Sequence, residues 1–128
     1  MSTDRNASTA LVEQRRRFRD DYATARTPAC LLTEHGRIDD VNDAFCRLLR
    51  CDRGDVIGLL ISEFADPRDV DLMIVMLDLV LAGTVQRLSF HLRGIDATGE
   101  HLDVLVSGDL VTGADSRPVC FLLEMASA

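Results

Sequence analysis

Residues 36–58 read GRIDDVNDAFCRLLRCDRGDVIG. Gly36 follows Glu34-His35 and closes a turn, and Ile38 and Val41 give the run after it the apolar content of a short strand. Asn42 and Asp43 then stand in front of Ala44, Phe45, Leu48 and Leu49, an N-cap followed by a helical apolar face. Asp52 to Val56 is a second short helical turn, and Gly58 ends it. Just upstream, Ala29 to Thr33 is an apolar strand, so the two strands read as a hairpin. Short helices wrapped over the face of a sheet make a compartment. The question is what fills it.

Downstream, "LLISEFAD" is a further short segment, and Asp66-Pro67 is a helix start: Asp66 caps, and Pro67 takes the first position, where its missing N–H does no harm. The helix runs to about Ala82 and stops at Gly83. It is apolar on nearly every side from Leu72 to Leu77, which predicts cover on more than one face. The last forty residues change period. Leu88, Phe90 and Leu92 alternate with Arg87, Ser89, His91 and Arg93, and Leu102, Val104 and Val106 alternate until Ser107-Gly108, where a bulge or a close backbone approach is expected. "VCFLLEM" is a final strand, apolar on both sides up to Glu124. One hairpin and one three-stranded meander, with helices between, predict an α+β fold: one five-stranded antiparallel sheet with helices on one face.

The 128 residues amount to one domain, long enough to bury a core without disulfides or metals. No run approaches the ~18 apolar residues of a membrane span, and "MSTDRNASTA" has no signal-peptide pattern, so the expected location is cytoplasmic with no membrane insertion. A net charge of −7 argues against nucleic acid as a partner. The Arg15-Arg16-Arg17 and Arg19 cluster is offset by Asp20 and Asp21 and reads as a solvated face. Cys30, Cys46, Cys51 and Cys120 show no CxxC spacing and read as reduced, small apolar residues.

Residues 1–7 read as disordered, and residues 8–26 as an N-terminal amphipathic helix that stops before Thr27-Pro28. Leu11, Phe18, Tyr22 and Ala25 form a narrow apolar stripe on it, with Val12 at the edge. Such a stripe needs a cover. A second copy of the chain is the expected one, which makes these residues the dimer-interface candidates.

Taken together, the pieces resemble a PAS domain over residues 28–126. "GRIDDVNDAFCRLL" resembles the family's G-x-I-x-x-x-N-x-A-F strand and helix, "DVIG" the E-x-x-G that follows, and "FADPRDVD" the D-x-x-H-P-x-D start of the long helix. "LRGIDATGEHLDVLVSGDLV" resembles the R-x-x-D-G-x-x-x-x-V-x-V-S hairpin. The resemblance implies a sensory or interaction module, often dimeric, that relays to an effector domain or protein. The flavin-binding type carries N-C-R-F-L-Q after the glycine matched by Gly58. Here that segment is "GLLISEF", with Ile61 at the cysteine position, so flavin is not expected. Haem is not expected either, since "DPRDVDLMIVMLDLVLAG" has no histidine, and His35, His91 and His101 fall on turns or polar parities. No metal site is read.

The pocket candidates are Phe45, Leu49, Ile61, Phe64, Leu72 and Met76, with Leu88, Phe90, Val104, Val106 and Leu122 from the sheet. All are apolar, so a cavity among them suits a small apolar, fatty-acid-like molecule. No convergent polar groups mark a catalytic site, and the chain is not expected to be an enzyme. The expected function is a cytoplasmic sensory and signalling module that homodimerises and holds such a ligand. The alternatives are a ligand-free interaction scaffold and, remotely, a small lyase or isomerase, which would need His91 or His101 to face inward.

Overall fold

The computed structural model describes the backbone of residues 3–128 and side chains from residue 9 onward. Helix α1 (Thr3–Tyr22) leads into the hairpin β1 (Ala29–Thr33) and β2 (Ile38–Val41). Helices α2 (Asp43–Leu49) and α3 (Arg53–Val56) follow, then two 3-10 turns (Ile61–Phe64 and Pro67–Asp69) and α4 (Val70–Leu81). The meander β3 (Arg87–Ile95), β4 (His101–Thr112) and β5 (Pro118–Ser127) completes one antiparallel sheet in the order β2-β1-β5-β4-β3. Of the N-terminal stretch read as disordered, residues 1 and 2 lie outside the described residues. The helix begins at Thr3 and ends at Tyr22, so Ala25 falls beyond it.

Residues 36–58 fold as their pattern requires. Gly36 and Gly58 both take positive φ (83° and 89°), which glycine alone adopts freely. The glycine turns bring the chain back along β2, where Gly58 donates to the carbonyl of Ile38 and Ile61 to that of Gly36. Asn42 is the hub. Its Oδ1 accepts from the N–H of Phe45, capping α2, and from the N–H of Ala29, while its Nδ2 donates to the carbonyls of Tyr22 and Thr27. One buried amide thus fastens α2, β1 and the end of α1 to each other.

The sheet has two covered faces. On the inner one, α2, α3, α4 and the first 3-10 turn pack over Leu32, Leu88, Val104, Val106, Phe121 and Leu123. On the outer one, Phe18 with Leu11 and Tyr22 covers Ala29, Leu31, Cys120 and Leu122. The α1 stripe packs on the chain's own sheet: Phe18 is 4% exposed and stacks on Tyr22 at 5.1 Å. Arg15 and Arg19 belong to the same seam. Arg15 makes a bidentate pair with Asp39 and Arg19 bonds Asp40, both on β2, so these two arginines, although Arg19 is exposed, have acid partners on the sheet that the solvated-face reading does not include.

Gly108 marks a close approach. A β-carbon there would stand 2.5 Å from the Leu122 carbonyl oxygen and the Leu123 side chain. The register shift of the β4–β5 pair lies further along, between Val111 and Thr112.

Candidate functional site

The inner face and α4 enclose one apolar cavity. Its sheet wall is Leu88, Phe90, Leu92, Val104 and Val106, the parity read from the alternation of β3 and β4. Leu49, Ile61 and Phe64 close it from the helical side, as expected. The rest of the lining was not legible. Met73 and Leu77 come from α4, Leu123 and Met125 from β5, and Gly94 from the bend of β3. No charged or hydrogen-bonding side chain borders it.

Four expected pocket residues stand elsewhere. Leu72 is 44% exposed: α4 is apolar all round, so composition does not give its phase, and Met73, Leu77 and Val80 are the side that turns inward. Leu122 faces α1 on the outer surface, because β5 is apolar at consecutive positions and carries no parity signal. Met76 packs at the flank of the core, and Phe45 lies behind Phe64, edge-on at 6.3 Å, without reaching the cavity. Cover of α4 on more than one side is likewise not found, since Ile74 and Val75 are exposed with Leu72.

The cavity holds about 30 Å³, against the roughly 10–15 Å³ that a single water needs on this measure. Drug-sized ligands occupy roughly 300–1,000 Å³. The gap is an order of magnitude smaller than that.

Around this core the polar groups act as fasteners. Asp66 accepts from the N–H and side chain of Arg68, which hold its carboxyl well below the usual carboxylate range. Asp69 accepts from the Nε (2.9 Å) and backbone N–H (2.8 Å) of Arg93, which bring its pKa down to about 2. With the Asp66 N–H donating to the Arg93 carbonyl, the start of α4 is clamped to β3. His101 lies 3.7 Å from Asp66 but is two-thirds exposed, and His35 and His91 are exposed. On the opposite side of the fold, Asp40 is 1% exposed and accepts from both Arg19 of α1 and Arg53 of α3. These residues and Phe18 line an open cleft of about 350 Å³. Tyr22 donates to Glu124 at 2.8 Å, and burial followed by that bond pushes its hydroxyl up to about 12. Sequence reasoning passed over the adjacent Asp39 and Asp40, though two carboxylates in a strand are themselves a signal of partners.

A hairpin, short helices over the inner face, a long helix clamped at Asp66–Asp69 and a three-stranded meander are an ordered set of parts. The family model described as PAS domain matches residues 27–125. This chain belongs to the PAS domain family. Solved PAS-type structures superpose closely. The PAS domain of a protein from Colwellia psychrerythraea matches with TM-score 0.78 at 14% identity, covering 92% of this chain and 97% of that one. The Rhodobacter sphaeroides LOV protein matches with TM-score 0.77 at 18% identity, covering 90% of this chain and 66% of that one. A domain of a sensory box sensor histidine kinase/response regulator from Geobacter sulfurreducens matches with TM-score 0.70 at 20% identity, covering 91% and 96%. No curated protein matches the chain. PAS domains are sensory and signalling modules. Among the described residues no helix is long and apolar enough to cross a membrane.

Proposed function

We propose that this PAS domain is a non-catalytic, cytoplasmic signalling module that works through protein contacts, to itself and to an effector, with its interior filled by its own side chains. The observation that carries the reading is the 30 Å³ cavity, an order of magnitude below an ordinary ligand pocket. The residues do not fit a flavin: Ile61 stands at the position where the photosensory pattern has its cysteine, and the cavity has no side chain that could hydrogen-bond a flavin ring. Haem fits no better, since the histidines are exposed and on no wall of the cavity. Self-association through the Phe18 side of α1 would compete with the chain's own sheet, so a homodimer uses another surface.

A second reading is favoured by one feature. The cavity wall is wholly apolar and includes Met73 and Met125, whose flexible side chains can make room. An apolar, fatty-acid-like guest would then open the gap between α4 and β3. Native mass spectrometry of the purified chain, followed by solvent extraction, separates the two. The filled-core reading expects the bare chain mass or its double. An added mass released into organic solvent overturns it in favour of a ligand sensor.

A further inference from the structure

The corner between α2 and α3 places two thiols at the edge of the main core. Helix α2 ends on Arg50 in the left-handed conformation (φ 52°, ψ 47°), and the N–H of Cys51 turns back to the carbonyl of Cys46 at 3.0 Å. This is the long hydrogen bond of a Schellman cap, which sets the residue after the left-handed position against the one five places earlier. An apolar pair commonly fills that contact. Here the two positions are Cys51 and Cys46, both packed at the edge of the main core. That capping contact sets residues 46 and 51 side by side, and a disulfide needs their α-carbons within roughly 4.4–6.8 Å. Both thiols are half-buried, whereas Cys30 and Cys120 are fully buried and on opposite faces of the sheet.

We propose that Cys46 and Cys51 are an oxidative modification site, closing to an intrachain disulfide with a peroxide as the oxidant. The Cys46 sulfur attacks one peroxide oxygen and loses its proton, giving a sulfenic acid and one water. The Cys51 sulfur then attacks the sulfenic sulfur, expelling the hydroxyl as a second water and closing the S–S bond. Two thiols lose two hydrogens and two electrons, and the peroxide gains them. The order follows from the contact. Burial raises both thiols, Cys51 to about 12, while the S–H of Cys51 stabilises a thiolate on Cys46. Asp43 and Asp52 oppose ionisation of Cys46 and Arg53 favours it. The site is therefore slow at neutral pH and quickens about tenfold per unit of added pH until Cys46 titrates. The bond would fix the turn that leads into α3, whose Arg53 grips Asp40 together with Arg19.

The test is exposure of the full chain to hydrogen peroxide, an acid quench, alkylation under unfolding conditions, and intact-mass and peptide analysis. The expected product has lost two hydrogens, carries alkyl groups on Cys30 and Cys120 only, and yields a peptide closed between Cys46 and Cys51. C51S should lose no hydrogens and should carry an oxidised or trapped sulfenic acid on Cys46. Four alkylated cysteines after a peroxide exposure that oxidises free cysteine would overturn the proposal. So would a disulfide mapped to any other pair. The wild-type peptide map separates these outcomes whether or not C51S folds.

Discussion

Helices α1 and α4 lie against opposite faces of one sheet and are held by different physics. Helix α4 buries Met73, Leu77 and Val80 in the main core, and its polar clamp, Asp66 and Asp69 to Arg93, sits only at its start. Among its described side chains, helix α1 buries Phe18 fully and relies on a row of directed bonds: Arg15 to Asp39, Arg19 to Asp40, Tyr22 to Glu124. Burial of apolar area is cooperative with the whole core, whereas a peripheral helix on a small apolar patch can leave alone. The inner helix thus belongs to the global stability of the fold and the outer one to a local equilibrium laid on top of it.

The largest effect should come from breaking the inner side. Leu77→Ala removes a buried side chain beside an existing gap and should cost about 3–4 kcal/mol, read as a uniform fall in denaturant midpoint by every probe. Phe18→Ala should cost less than the roughly 3–5 kcal/mol of a phenylalanine in a main core, because the loss is capped by the docking energy of α1. Hydrogen exchange would then show α1 unprotected over an intact β4–β5 ladder. If exchange instead rises evenly through the sheet, the two helices are one cooperative unit and the contrast fails. Asp40→Ala should cost about 1–2 kcal/mol, since Arg19 and Arg53 are half-exposed and can turn to water. Combined with Phe18→Ala it should add less than its separate cost, both acting through the same docking step.

The two helices should also answer to opposite ends of the pH scale. Asp69 has its pKa lowered to about 2, so its contribution to the α4 clamp is complete above about pH 4 and is lost as the pH falls towards 2. Tyr22 is raised to about 12, so its contribution to α1 is complete below about pH 10 and is lost as the pH rises towards 12. Thermal melts across pH should show the acid limb flatten in Arg93→Ala and the alkaline limb flatten in Tyr22→Phe. The smallest effect is expected at Glu13, whose pairs with Arg16 and Arg17 are exposed. Glu13→Gln should change stability by less than about 0.5 kcal/mol.

What could be read from the sequence follows the same division. Strict alternation in β3 and β4 exposed the inward parity of Leu88, Phe90, Val104 and Val106, and the capping residues placed α2 and the start of α4. Where a segment is apolar on consecutive sides, as in β5 and α4, the pattern holds no phase, and Leu122 and Leu72 were assigned to a wall that Leu123 and Met73 form. The stripe on α1 was visible, but a stripe does not name its cover. That answer lay in pairing Arg15 and Arg19, one helical turn apart, with Asp39 and Asp40, across more than twenty residues. The contact between Cys46 and Cys51 was hidden for a different reason. It depends on Arg50 adopting a left-handed backbone that its residue type does not advertise.

The order of the sheet has one more consequence. Strand β5, last of the five in sequence, pairs with β1 on one side and β4 on the other. The hairpin β1–β2 and the meander therefore share no ladder until residues 118–127 have been made. As the chain emerges from the ribosome, β1 waits with an open edge while residues 34–117 follow it. Pairing across so long a stretch of chain slows folding, and an unpaired β1 is a ready template for a neighbouring chain. Any truncation within β5 should thus abolish the domain rather than trim it.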